Sequence, residues 1–206
     1  MATTKTKTIR KTYSKPNTKT VYRQYDSRWG SLTYPDRKYT LARSGCGCCA
    51  VTHCAMENPK YSKYTPKLVR KFMKKYAVAG KGTLVDGIPA GLKRYGYSDL
   101  VYAKIKGQDD LKPFWDALKE GKKGVLLFQG IKRDRSNKTP DGTVWTERGH
   151  FVAVVGYKVI GNKHYLYTKD SGRGHDGWHC YETSMKGSLT KAWLGIPPII
   201  RDVKKL

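Results

Sequence analysis

Ser44-Gly45-Cys46-Gly47-Cys48-Cys49-Ala50-Val51-Thr52-His53-Cys54-Ala55-Met56 is the stretch on which the fold of this chain turns. A Gly-flanked turn leads into Cys48–Met56, which holds no Gly, no Pro and no formal charge. The pattern predicts a loop feeding the N-terminus of a buried helix, with Cys46 at its mouth. Unpaired backbone N–H groups and the positive end of the helix dipole meet there, and both stabilise an anion. A thiol held at that point is drawn toward thiolate, the form that attacks a carbonyl carbon. Clustered cysteines packed as small apolar residues fit the same letters. The two readings separate on whether the rest of the chain supplies partners for a nucleophile.

Three such partners are present. His150 follows Gly149 at the head of a strongly apolar strand, Phe151-Val152-Ala153-Val154-Val155-Gly156-Tyr157. A ring at that edge can face a cleft while the strand behind it is locked in the core. Asp170 ends the neighbouring strand, Lys163–Thr168, reached through the Gly161-Asn162 turn. Antiparallel neighbours can bring His150 and Asp170 together, and the carboxylate would then orient the imidazole and stabilise its charged form. Gln24 lies upstream in a segment rich in Tyr and Trp. Its amide is a candidate for half of an oxyanion hole, with the Cys46 backbone N–H as the other half.

Working outward, the helices come first and most of the strands second. Thr65-Pro66 opens a helix in which Leu68, Val69, Phe72, Met73 and Tyr76 share one face. Residues 84–95 read as a weaker helix, and Leu111, Phe114, Trp115 and Leu118 as a clean helical stripe ended by Gly121. Leu100–Ile105 and Gly124–Gln129 read as strands. The fold class expected is α+β: an N-terminal helical part, its Cys46 helix packed on a C-terminal antiparallel sheet. Residues 1–20 hold six basic residues, seven Thr and no acid, and read as a flexible cationic arm. The domain is expected to occupy residues 21–206.

The order Gln, Cys, His, Asp across helices and then sheet resembles papain-like cysteine peptidases, most nearly the double-glycine (bacteriocin-leader) peptidase-like group. The residues that carry the resemblance are Gln24-Tyr25-Asp26-Ser27-Arg28-Trp29-Gly30, Ser44-Gly45-Cys46-Gly47, Thr65-Pro66 and Gly149-His150 with its strand. It spans roughly residues 21–175. It implies Cys46 as nucleophile, His150 as general base and then acid, Asp170 as orienter and Gln24 as oxyanion donor. Two departures stand out. Ser171 follows the Asp where family members often carry Pro, and Cys48 and Cys49 crowd the nucleophile, either being a rival for the reactive thiol.

Composition bounds the remaining choices. With 41 Lys and Arg against 16 Asp and Glu, the formal charge is +25, which implies an anionic partner. Five cysteines, four of them between positions 46 and 54, make a poor disulfide framework. No apolar run has the length of a membrane span, and the N-terminus lacks a signal peptide's apolar core. Cytoplasmic synthesis, with action on a cell wall after release, is therefore expected. Cys46, Cys49 and His53 on one helical face, and His175, His179 and Cys180 downstream, are residue types that bind zinc. The first cluster would put its ligands along a buried helix and the second has no paired Cys, so no metal and no cofactor is expected, and His175 and His179 should border the cleft. The function expected is a cysteine peptidase or amidase acting through a thioester, on peptidoglycan as a lysin-type enzyme of phage or bacterial origin. A protein- or leader-peptide-processing protease is the alternative. A non-catalytic, basic nucleic-acid-binding protein is the rival of another class, although no nucleic-acid motif is present. Trp145, Trp178 and Trp193 are either groove or core, at least one of them core.

Overall fold

The computed structural model describes residues 10–18 and 20–198. In chain order the elements are β1 (Arg10–Ser14), α1 (Leu41–Ser44), α2 (Cys46–Ala55), α3 (Pro66–Met73), β2 (Ala77–Val78), β3 (Gly82–Thr83), α4 (Gly87–Arg94), β4 (Ser98–Lys104), α5 (Lys112–Lys119), β5 (Lys123–Gln129), β6 (Gly149–Ile160), β7 (Lys163–Lys169), β8 (Gly177–Cys180) and β9 (Leu189–Ile196). The main sheet runs β4-β9-β5-β6-β7-β8, with β1 added to β6. All of its pairings are antiparallel. The fold is α+β.

Alternation along the central strands builds two cores. Val125, Leu127, Phe151, Ala153, Val155 and Trp193 point to one face, where α2, α3 and α4 cover them. Leu126, Phe128, Val152, Val154, Ala192 and Leu194 point to the other, under α5 and the turn around Met185. Strands covered on both faces read as near-continuous apolar runs rather than alternating ones. The runs Gly124–Phe128 and Phe151–Tyr157 are of this kind. Helix α2 is buried from Gly47 through Ala55, as a helix apolar all round must be. Its neighbour α3 buries Val69 and Met73, but Leu68 is 40% exposed, so the expected apolar stripe is narrower than its letters suggest.

The expected elements form with shifted ends; the short elements α1, β2, β3 and β8 were not expected, and two larger differences bear on the sheet. Arg10–Ser14, expected within the flexible arm, forms β1 along the upper part of β6, pairing Arg10 with Ile160. The physical reason is Tyr13, whose ring stacks 5.2 Å from that of Tyr157 and packs against the second core. Residues 1–9 and Lys19 of the expected arm lie outside the described residues. The second difference is β9, a central strand taken from the C-terminal part of the chain, for which no element was expected.

Trp145 and Trp193 are core residues, 1% and 6% exposed. Trp145 stacks on Phe128 with centroids 4.1 Å apart and gives its indole N–H to the Ser184 carbonyl. Trp178 is half-buried, with the Lys158 ammonium 4.1 Å from its ring centroid.

Candidate active site

Gly45 precedes α2 with ordinary negative φ, and its lack of a side chain serves a close approach. A Cβ there would stand 2.5 Å from the Leu41 carbonyl oxygen. The backbone folds tightly over α1 and delivers Cys46 to the first position of α2. Gly47 serves a second approach, since a Cβ would lie 2.5 Å from Thr83 Oγ1. The β2–β3 hairpin therefore stands directly against the head of the helix. Thr83 is pinned in turn by the Tyr34 hydroxyl at 2.8 Å.

From the sheet side, β6 begins at Gly149 and brings His150 to the same place. The register pairs Ala153 with Lys169, so Asp170 lies one residue past the ladder, beside the start of β6. His150 Nε2 and Asp170 Oδ1 are 2.6 Å apart. Asp170 is fully buried and richly bonded, Oδ1 accepting the Gly172 N–H at 2.7 Å and Oδ2 the His175 N–H at 3.2 Å. With Nε2 committed to Asp170, Nδ1 is the ring nitrogen left for the thiol. The charge of that ring acts on the Cys46 thiol, and the thiol's charge acts back on the ring.

The electrostatics follow from this arrangement. Burial alone would push the Cys46 thiol up. The His150 hydrogen bond and charge outweigh it, with the backbone N–H groups of Phe151 and Gly47, and hold the thiol below its ordinary value. Burial works the other way on the imidazole and would lower it. Bonds and charges from Asp170 and Cys46 prevail and raise His150 to about 10. Asp170, despite burial, is held well below the usual carboxylate range by His150 and by the Gly172 and His175 N–H groups. The trio thus favours thiolate, imidazolium and carboxylate together.

The rival thiols are different. Cys48 and Cys49 are fully buried, and burial pushes both far above the ordinary thiol value. Cys48 gives its S–H to the Pro66 carbonyl at 3.7 Å. Cys46 is the partly exposed one of the three.

Three consecutive residues upstream tie the site together, each to a different element. Tyr22 donates its backbone N–H to His53 Nε2 at 2.8 Å. That bond uses the ring on α2, and burial holds His53 neutral, its pKa lowered to about 3. Arg23 spans the carbonyl of Asp170 and the carboxylate of Asp176, and Asp176 Oδ1 accepts the Asp170 N–H at 2.8 Å. Gln24 donates Nε2–H to the Ala42 carbonyl at 2.7 Å. Its backbone N–H goes to the Ser171 carbonyl at 3.0 Å, and its Oε1 accepts the Ser171 hydroxyl at 3.2 Å. A primary amide carries two N–H donors, and the Ala42 bond uses one.

Sequence reasoning missed Arg23, Asp176 and the structural use of Ser171, which anchors Gln24 with its hydroxyl. The Arg23–Gln24 adjacency and the acid at Asp176 are visible in the chain, but nothing in the letters links them across the fold. The expectation that His175 and His179 border the cleft is corrected. Their rings pack on Trp145, with centroids 4.8 and 5.0 Å away, because that buried indole offers the apolar surface. Cys180 gives its S–H to Glu182 Oε2 at 3.2 Å. Among the described residues, no three His, Cys, Asp or Glu side chains are grouped so as to hold a metal ion. No helix among them is long and apolar enough to cross a membrane.

No protein-family model and no curated protein matches the chain.

Proposed function

We propose that this protein is a papain-like cysteine hydrolase that cleaves an amide bond through a thioester. The observation that carries the reading is a partly exposed thiol at the head of a buried helix, electrostatically coupled to an imidazole that a buried carboxylate holds at 2.6 Å. Nucleophile, base and orienter in series are what acyl transfer requires.

In the proposed reaction the Cys46 thiolate adds to the carbonyl carbon, and the carbonyl oxygen becomes an oxyanion. The backbone N–H of Cys46 and the second N–H of Gln24 are its donors, each such donor being worth about 3 kcal/mol of barrier. The His150 imidazolium gives its proton to the departing amine as the C–N bond breaks, leaving a thioester and neutral imidazole. That imidazole takes a proton from water, the hydroxide adds to the thioester, and the acid leaves as Cys46 returns to thiolate.

The substrate proposed is peptidoglycan, cut by a lysin-type endopeptidase or amidase that reaches the wall after release from the cell that made it. The charge of +25 supports this reading through the affinity of such a surface for anionic wall polymers. The test is turbidity loss of Gram-positive cells and purified walls, with mass spectrometry of the products, for the parent and Cys46→Ala. Cys46-dependent release of wall fragments is expected. Intact walls beside a cleaved peptide library would overturn the wall assignment in favour of a processing protease. No cleavage of either, with salt-sensitive binding of nucleic acid as the sole activity, would overturn the hydrolase reading.

A further inference from the structure

Beside Cys46 lies a trough of about 1330 Å³. That volume exceeds the usual range of small-ligand pockets and accommodates several residues of extended chain. One wall is the β2–β3 hairpin with Leu84 and Val85 after it. The opposite wall is the ends of β5 and β6 and the segment between them. Six charged residues line it, and all six are basic: Arg43, Lys81, Lys132, Arg133, Arg148 and Lys191. Five of them are exposed, and Lys191 is half-buried.

The nearby acids do not neutralise this trough. Asp134 is turned to Lys106 at 2.7 Å. Glu147 pairs with Lys132 and also, at 3.3 Å, with Arg173 outside the trough. Among the described residues, Lys132 is alone of the six in an ion pair. The Arg43 guanidinium is held over the Tyr39 ring, 5.1 Å from its centroid. A cleft lined by one sign of charge concentrates the opposite sign and raises association rates by about 10–10³.

The geometry points to a peptide carrying carboxylates beside the scissile bond as the substrate class of this trough. The inference rests on the hydrolase reading and adds a specificity to it. Peptide is favoured over nucleic acid because strand binding relies on open aromatic faces. Here the Tyr39 face is taken by Arg43, and Phe151 is 6% exposed. Leu84 and Val85, 38% and 40% exposed, offer apolar contact to side chains between the carboxylates.

The test compares alkylation of Cys46 by anionic iodoacetate and neutral iodoacetamide, in the parent and in an Arg133→Gln, Arg148→Gln, Lys191→Gln variant. The ratio of the two rates cancels any change in the thiolate fraction. The inference expects the ratio to fall about tenfold in the variant and to fall in the parent as salt rises from about 50 to 500 mM and screens the exposed charges. A cleaved peptide library should be enriched in Asp and Glu next to the cut. An unchanged ratio, or neutral peptides cut as fast as acidic ones, overturns the inference and leaves the hydrolase standing. A Cys46 inert to both reagents sinks both. Protection of Cys46 by a DNA 20-mer at concentrations where poly-glutamate gives none overturns the peptide assignment in favour of nucleic acid.

Discussion

Replacing Asp170 by Asn removes one negative charge and changes few atoms. Asp170 Oδ1 accepts from both His150 Nε2 and the Gly172 N–H, while Oδ2 accepts the His175 N–H. An amide has one acceptor oxygen, so the substituted side chain cannot serve both sides, and its NH2 group must face either a ring nitrogen or a backbone N–H. A charge-assisted hydrogen bond contributes about 1.5–3 kcal/mol, and Asp170 supplies the largest of the influences that raise His150. Its loss therefore reduces the equilibrium constant for the thiolate–imidazolium pair about 10- to 150-fold, converting that energy at 1.4 kcal/mol per decade. Iodoacetamide labelling of Cys46 at pH 6 should slow more than twofold and by at most that factor. Hydrolysis should slow at least as much, up to about 10⁴-fold where an orienting carboxylate also fixes the tautomer. Histidine-labelled NMR should show His150 titrating well below its parental value. If a folded Asp170→Asn protein labels within twofold of the parent and His150 titrates unchanged, the carboxylate does not support the imidazolium and the reasoning fails.

Three other perturbations follow from the same contacts. Gly47→Ala gains helix propensity of at most about 1 kcal/mol, but its methyl meets the buried Thr83 side chain. Overpacking costs about 1–3 kcal/mol, so thermal melting should show net destabilisation. Ser171→Ala frees Gln24 Oε1 from its hydroxyl, and losing a neutral hydrogen bond of about 0.5–1.5 kcal/mol predicts melting lower by a few degrees, with kcat falling by up to about tenfold as Gln24 loses its anchor. For pH, Asp170 is depressed in the fold, so its contribution is complete above about pH 4, its unfolded value, and is lost as pH falls through the folded value. His150 is raised to about 10, so its contribution is complete below about pH 6.5 and is lost as pH rises through about 10. The melting difference between parent and Asp170→Asn should therefore be greatest between about pH 4 and 6.5 and narrow on either side.

Much of this architecture was legible because local pattern and tertiary fate agree. The small-residue run after Cys46 became a fully buried helix, and Phe151–Tyr157 became a strand covered on both faces. The adjacency of His150 and Asp170 followed from one turn, Gly161-Asn162, and the period of the two strands it joins. What escaped was non-local. Tyr13 belongs to a lysine- and threonine-rich arm by composition, and only the waiting ring of Tyr157 makes it a strand residue. Strand β9 mixes Lys191 and Gly195 with its apolar residues, and its place between β4 and β5 depends on pairing across more than sixty residues. The tie from Arg23 to Asp170 and Asp176 joins side chain to backbone over 147 residues, a contact no spacing encodes. The basic trough escaped for a different reason. In a chain with 41 Lys and Arg, six basic residues converging on one cleft do not stand out until the fold assembles them.

The central claim is that Cys46 is a thiolate held by His150. The most direct measurement is the pH dependence of its alkylation by iodoacetamide, with the labelled residue mapped by mass spectrometry. The account predicts selective modification of Cys46, with Cys48, Cys49 and Cys54 spared in the native protein, and a half-maximal rate below the ordinary thiol value of about 8.5. A rate that rises only through that ordinary value, or a label found on Cys48 or Cys49, would contradict it.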